Sequence, residues 1–345
     1  MNPDADRTPA LDPTPAPDRA PRLAGGDAPP RRAAPPVVRP DVPRVVRAAG
    51  LAPDEISRRV RDGALVRVLR GVYGAPGPSD PPWAAQRHAL LARAPALHLV
   101  LTGEHWFSHT TAAVLWGCDV ASIPRRVHVT SLINPHVRRR QDGAAVAWHW
   151  TSAADRATEV SRALTLPVSP LERTAFDCAA TLPPGPGLVV ADSALRAGAD
   201  RVLLAEITER AVGRRGVRRA REVLQHADGR AESAGESLTR WAVIAAGLPA
   251  PDLQVAVATR LGWRWVDLGW QAERVAVEFD GRVKYGRDRA TAARAVFEEK
   301  RRQDALEDEG WTVVRVTWPD LANLGHLGDR LSRAFRRAAR SGSPR

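Results

Sequence analysis

Lysine is almost missing from this chain: of its 51 basic side chains only Lys284 and Lys300 are not arginine. A guanidinium is a planar, permanently charged fork, whereas an ammonium is a compact, rotatable point charge, so the two exceptions mark places where such a charge could work beside water, phosphate or metal, codon chance being the other reading. Cysteine is equally scarce. Cys118 and Cys178 stand far apart with no metal-ligand spacing, which excludes a disulfide framework and predicts two buried thiols. No apolar run is long enough to span a bilayer and no charged-then-apolar leader opens the chain, so no membrane partner is expected and the cytoplasm is the expected location. Internal repeats, phosphate-binding glycine loops and nucleophile elbows are also lacking, which leaves no motif for an organic cofactor.

What is present concentrates in the last third. The stretches Trp263–Trp270 and Val275–Tyr285 are rich in β-branched and aromatic residues, alternate in polarity, and are separated by the four residues Gln271–Arg274. They read as a hairpin. Glu278 and Asp280 share one strand face, and a tight hairpin sets Asp267 opposite Ala276 and diagonal to Glu278, at the roughly 7–8 Å typical of diagonal neighbours. Oxygen ligands so placed suit Mg²⁺ or Mn²⁺, which keep several waters and accept one or two carboxylates plus a substrate phosphate. A solvated acidic edge is the plainer alternative for an isolated pair, but both residues follow apolar runs. Upstream, 231–246 reads as a helix stopped at Gly247-Leu-Pro249, with Glu232 and Glu236 one turn apart. Downstream, Phe297, Lys300 and Asp304 share a helix face and 310–318 reads as a buried strand, giving the order helix, strand, strand, helix, strand, helix.

The first 43 residues hold 12 of the 29 prolines, and their six Asp and six Arg cancel. Such a segment reads as a disordered Pro/Ala/Arg-rich tail, which assigns the net charge of +12 to the rest of the chain and predicts attraction to polyanions. From Arg44 to Gly74 seven arginines face three acidic residues. The order there predicts a winged helix-turn-helix over 44–76: a short helix ending at Ala49-Gly50, a second helix carrying Arg58, Arg59 and Arg61, and a wing hairpin carrying Arg67 and Arg70. Helix in the major groove and wing on phosphate would make DNA the partner. The alternative is a small helix-hairpin unit with a solvated basic face. Of the histidines, His105 and His109 share a helix face by spacing, which would suit a metal pair, but no carboxylate cluster accompanies them, so His109 is read as capping or packing at a helix start and His128 and His149 as core or edge residues of strands.

Four ordered motifs carry a resemblance. Ser233-x-x-Glu236, Val266-Asp-Leu-Gly-Trp270, Val277-Glu-Phe-Asp-Gly281 and the run from Lys300 to Trp318 resemble the very-short-patch-repair (Vsr)-like endonuclease domain of the PD-(D/E)XK superfamily, over about 230–340. The resemblance implies a restriction-endonuclease-like mixed sheet flanked by helices and metal-dependent hydrolysis of DNA. It implies Asp267 and Glu278 as metal ligands, Asp280 as a further ligand and Glu236 as an accessory acid. Asp280 stands where the superfamily carries the lysine of its motif, and Lys284 offers the missing charge from a shifted position. The segment 44–76 and its continuation through 83–226 resemble AbiEi-type antitoxin and regulator proteins, on Gly63-Ala-Leu-Val-Arg-Val-Leu-Arg-Gly-Val-Tyr73, Ser108–Gly117, Val127–Thr130 and Leu166–Asp177. The expected class is therefore an α/β multidomain chain. Two functions stay open: a Mg²⁺- or Mn²⁺-dependent DNA endonuclease with Asp267, Glu278, Lys284 and Glu236 as its catalytic residues, or a DNA-binding regulator whose nuclease fold no longer hydrolyses anything. A toxin or defence-system partner and the oligomeric state are left unspecified.

Overall fold

The computed structural model describes residues 29, 30, 32, 34–132, 146–152, 165–281 and 289–341. It is an α/β chain with three small sheets and helices packed around them. The first sheet comes from β1 (Val45–Arg47), β2 (Val66–Leu69) and β3 (Val72–Gly74), in the order β1-β3-β2 with antiparallel neighbours. This corrects the helix expected to end at Ala49-Gly50. Val45 and Val46 take the free edge of the hairpin opposite Gly74 and Tyr73, where β-branched side chains pack well, and only a 3-10 turn forms at Ala48–Gly50. One helix, α1 (Pro53–Arg61), lies between β1 and β2. Proline at its first position, Asp54 and Glu55 in its first turn, and Arg58, Arg59 and Arg61 in its last turn all suit the helix dipole.

After α2 (Pro82–Val100) the middle region has β4 (His105–Phe107), α3 (His109–Trp116), β5 (Val127–Ser131) and β6 (Val146–Trp150). Strand β5 is central, antiparallel to β4 and parallel to β6. Helices α4 (Leu171–Thr181), α5 (Pro184–Arg196), α6 (Arg201–Arg210) and α7 (Val217–Leu224) complete one hydrophobic cluster that runs from Leu90 to Ala227. Cys118 and Cys178 are free and buried in it, as expected. No helix among the described residues is long and apolar enough to cross a membrane.

The last region begins with α8 (Ala234–Ala245), capped by Ser233, whose Oγ accepts the Glu236 N–H. Then follow β7 (Asp252–Thr259), β8 (Gly262–Trp270), β9 (Val275–Asp280), α9 (Arg289–Asp308), β10 (Thr312–Thr317), the short α10 (Trp318–Leu321) and α11 (Leu324–Ser341). The sheet order is β10-β9-β8-β7, with β10 parallel to β9 and the other pairs antiparallel. Strand β7 is an addition to the expected order; Leu253 is buried in the cluster beneath α8 and α11, and Val255 and Val257, beyond Gln254, in the cluster beneath α9. Helices α8 and α11 cover one face of the sheet, and Leu306 of α9 packs with Val255, Val266 and Ala276 on the other.

Gly235 in the first turn of α8 lies directly against the Phe279 ring, which a Cβ would overlap at Cε1, Cδ1 and Cζ. That ring is also held edge-on by Trp318 at 5.0 Å. Gly235→Ala gains about 1 kcal/mol of helix propensity but forces the ring aside at a cost of about 1–3 kcal/mol. The expected net result is a less stable chain, measured as a lower urea midpoint at unchanged slope.

Candidate functional site

Strand β9 ends at the C-terminal edge of the parallel pair, and there the structure brings four of the sequence-derived residues together. Glu236, Asp267, Glu278 and Asp280 line one cavity of about 190 Å³ with Phe279, Glu299, Arg302 and Arg315. Carboxylates outnumber guanidiniums five to two, so the cavity is acidic overall. The hairpin register differs from the one expected: Trp270 pairs Val275 and Leu268 pairs Val277, so Ala276 faces Gly269 and the next rung sets Asp267 against Glu278. The four-residue turn closes directly on Trp270 and Val275, and that moves the pairing by two. Asp267 is fixed by a backbone N–H donated from Phe279 at 2.8 Å.

Glu236 is at once a cavity wall and a capping residue. Its Oε1 accepts from the Ser233 hydroxyl at 2.9 Å, and its Oε2 accepts from the Glu232 N–H at 2.9 Å and from Gln254 Nε2 at 3.1 Å. Gln254 is a non-glycine residue at φ 52°, bracketed by the rungs Leu253–Leu268 and Val255–Val266. Left-handed backbone of that kind costs about 1–3 kcal/mol and persists where the surroundings impose it. From the other side Arg32 donates to Gln254 Oε1 and to Glu232, both at 2.8 Å.

Burial dominates the electrostatics. Glu236 is pushed up to about 7 by burial and then by Asp267, despite its three hydrogen bonds. Burial also raises Asp267, against the pull of the Phe279 N–H, Arg302 and Arg32. Glu278 is raised by burial too, with Arg302 as its main offset. Arg302 donates to Glu278 Oε1 at 2.8 Å and to the Trp265 carbonyl at 2.7 Å, while Arg315 pairs with Glu299 and stands 4.0 Å from Glu278. Among the described residues, no three of these carboxylates bring ligand oxygens within 4.8 Å of one another. The cavity is thus an acidic bowl with two cations set in its wall. Its donors are all oxygen and its charge is negative in excess, the chemistry that a hard divalent ion requires of a site.

Arg302, Arg315 and Glu299 carry no sequence signal of their own. Glu299 and Arg302 are three apart on α9 and turn inward together, whereas Lys300 and Arg301 are exposed; within Lys300-Arg-Arg302 only tertiary packing separates the inward cation from its neighbours. Lys284 lies outside the described residues. Arg58, Arg59 and Arg61 are exposed on α1, and Arg67 and Arg70 are exposed on and beside the β2–β3 hairpin. Arg59 pairs with Glu55 at 2.6 Å. His105 is not on a helix with His109: it lies on β4 and bonds His98 at 3.0 Å.

No known protein-family model matches the chain. The crystal structure of the RV2827C protein from Mycobacterium tuberculosis aligns with 56% of this chain and 79% of its own at 19% identity and a TM-score of 0.34. Two Mycobacterium tuberculosis proteins described as uncharacterized, MT2308 of strain CDC 1551 / Oshkosh and Rv2248 of strain H37Rv, are each 35% identical to it over 295 residues. Those residues make up 84% of this chain and 98% of each relative, so the similarity runs through all three sheets. The chain therefore belongs to the same family as MT2308 and Rv2248.

Proposed function

We propose that this protein binds DNA through its basic N-terminal unit and hydrolyses phosphodiester bonds at the Glu236–Asp267–Glu278–Asp280 cavity. The observation that carries the reading is the convergence of those four residues, which the Vsr-like resemblance names together, on one half-open bowl. Asp267 and Glu278, joined by Asp280, would hold Mg²⁺ or Mn²⁺, which when bound supplies a lowered water pKa and charge neutralisation at phosphate. The chain's own residues do the rest. Arg302 and Arg315, in the wall of the same cavity, would offer positive charge to a bound phosphate. Glu236, titrating near neutrality, is suited to hold and release a proton at working pH. Incubation of the chain with supercoiled DNA in Mg²⁺, Mn²⁺ or EDTA tests the reading; nicked or linear product in metal, and none in EDTA, is the expected outcome.

One observation favours the regulator reading. Arg302 occupies Glu278 at hydrogen-bond distance, so a cation entering there must displace or share with a guanidinium. In a protein that only binds DNA this pair would be a permanent internal neutralisation, and no metal would give cleavage.

Both readings share the basic N-terminal unit. Arg58→Ala/Arg61→Ala removes two exposed cations and is expected to lower the slope of log affinity against log salt by about 0.9 for each phosphate that is no longer neutralised. Anisotropy titrations of a labelled duplex at several salt concentrations measure it, and an unchanged slope would move the DNA-binding surface elsewhere.

A further inference from the structure

The middle region gathers three histidines that are far apart in sequence. His128 and His149 stand on neighbouring parallel strands, where His128 is in register with Ala147 and His149 with Thr130, so both project from the same face of β5 and β6. His109 begins α3 at φ 52°, a strained position for a residue with a side chain, and its ring stacks on His149 with centroids 3.6 Å apart. Each of the three offers a ring nitrogen within 4.8 Å of the others, the one such group of potential metal ligands among the described residues.

We propose that His109, His128 and His149 form a binding site for a zinc-class divalent transition-metal cation. The nitrogens already face one another. His128 Nδ1 and His149 Nε2 are 3.0 Å apart, close to the separation of about 3.3 Å expected for two nitrogens bound to one tetrahedral zinc. His109 Nδ1 lies 2.9 Å from the Ser108 hydroxyl, which leaves its Nε2 for the ion and provides an outer hydroxyl of the kind that orients metal-bound imidazoles, while Asp177 stands 4.0 Å away, paired with Arg173. Seating the ion requires the stacked rings to fan apart.

The surroundings leave a coordination position open. His109 and His149 border a cavity of about 410 Å³ whose wall also holds Trp148, Arg173, Asp177, Arg214 and Arg215. The Trp148 indole N–H is buried in that wall with no hydrogen-bond partner among the described residues. Three imidazoles beside a cavity with arginines in its wall describe a site whose remaining ligand is water or a small oxyanion.

The test uses the full chain, stripped with chelator and titrated with Zn²⁺ and Co²⁺. With Mg²⁺ in excess to occupy the acidic cavity, the expected result is one equivalent bound, visible Co²⁺ bands of a four-coordinate nitrogen-rich site, and a higher Tm with Zn²⁺. His128→Gln/His149→Gln should weaken Zn²⁺ binding by more than the roughly 100-fold that loss of an outer-sphere partner can cost, whereas Asp267→Asn/Glu278→Gln should leave it unchanged. Should the histidine variant fold poorly by circular dichroism, histidine ¹⁵N shifts of the unaltered chain on Zn²⁺ addition decide, and three perturbed imidazoles are expected. Featureless Co²⁺ spectra, unmoved histidine resonances, or binding lost only in the Asp267/Glu278 variant would overturn the proposal.

Discussion

Asp267→Asn combined with Glu278→Gln is expected to lower metal-dependent DNA cleavage by about 10³-fold or more, on the scale seen when groups that stabilise transition-state charge are removed. The choice of amides matters. The amide at position 267 keeps an oxygen for the Phe279 N–H, and the one at position 278 keeps an oxygen for Arg302, so the hairpin and the α9 contact retain their hydrogen bonds. What disappears is two negative charges from a bowl lined by five carboxyl groups. Affinity for the DNA backbone should therefore rise or hold steady while nicked-circle formation collapses. If the unaltered chain binds DNA yet gives no product in any metal, the nuclease reading fails and the regulator reading stands; if the amide variant cleaves as fast as the unaltered chain, the cut is made elsewhere.

The second large effect is on stability. Arg240 of α8 donates to both oxygens of Asp192 on α5 at 2.7 Å and to the His226 carbonyl at 2.6 Å, and Asp192 also accepts from the Asp228 N–H and the Ser237 hydroxyl. Both side chains are buried, Asp192 completely. Arg240→Met leaves that carboxylate without its cation at a cost of about 3–5 kcal/mol. At roughly 2–4 °C per kcal/mol this lowers Tm by about 10 °C. Burial already holds the Asp192 carboxyl above its ordinary range with Arg240 in place, and losing the guanidinium raises it further. A carboxyl raised in the folded state binds more protons folded than unfolded, so stability falls as pH rises from its unfolded value to its folded one. The deficit of Arg240→Met should thus be smaller at about pH 5 than at about pH 8, and calorimetry at both values checks the sign. Adding Asp192→Leu should recover much of the loss; a deficit that is independent of pH and not rescued would mean Arg240 matters for packing alone.

The parts legible in the sequence were those written in local patterns. Alternation exposed β8 and β9, Ser233 and Glu236 announced the start of α8, and the acidic residues of the hairpin landed in one cavity. Register was not legible, because a four-residue turn can close on different pairs and only Trp270 against Val275 shows which. Strand β7 is hard to read from the sequence because it carries no aromatic residue of its own and alanine stands where alternation calls for polar side chains. The helix expected to end at Ala49-Gly50 became a strand and a short turn because pairing with β3 outweighed local preference. The inward turn of Arg302 and the clustering of the three histidines escape the sequence for a different reason: each depends on elements far apart in the chain meeting in space, and no spacing encodes that. The basic balance, by contrast, was plain in composition, although it does not say which arginines touch DNA.

The parallel pairing of β10 with β9 has a consequence for the birth of the protein. Translation runs at about 5–20 residues per second, so Glu236, Asp267 and Glu278 emerge seconds before Arg315 does. Until then β9 is the open rim of a three-stranded sheet, and Val275, Val277 and Phe279 lie on it. An apolar rim of that kind invites pairing with other chains. A ribosome halted just before Thr312 would therefore hold a sticky nascent chain, and the arrival of the last strand both seals that rim and delivers the counter-charge to the acids beside it.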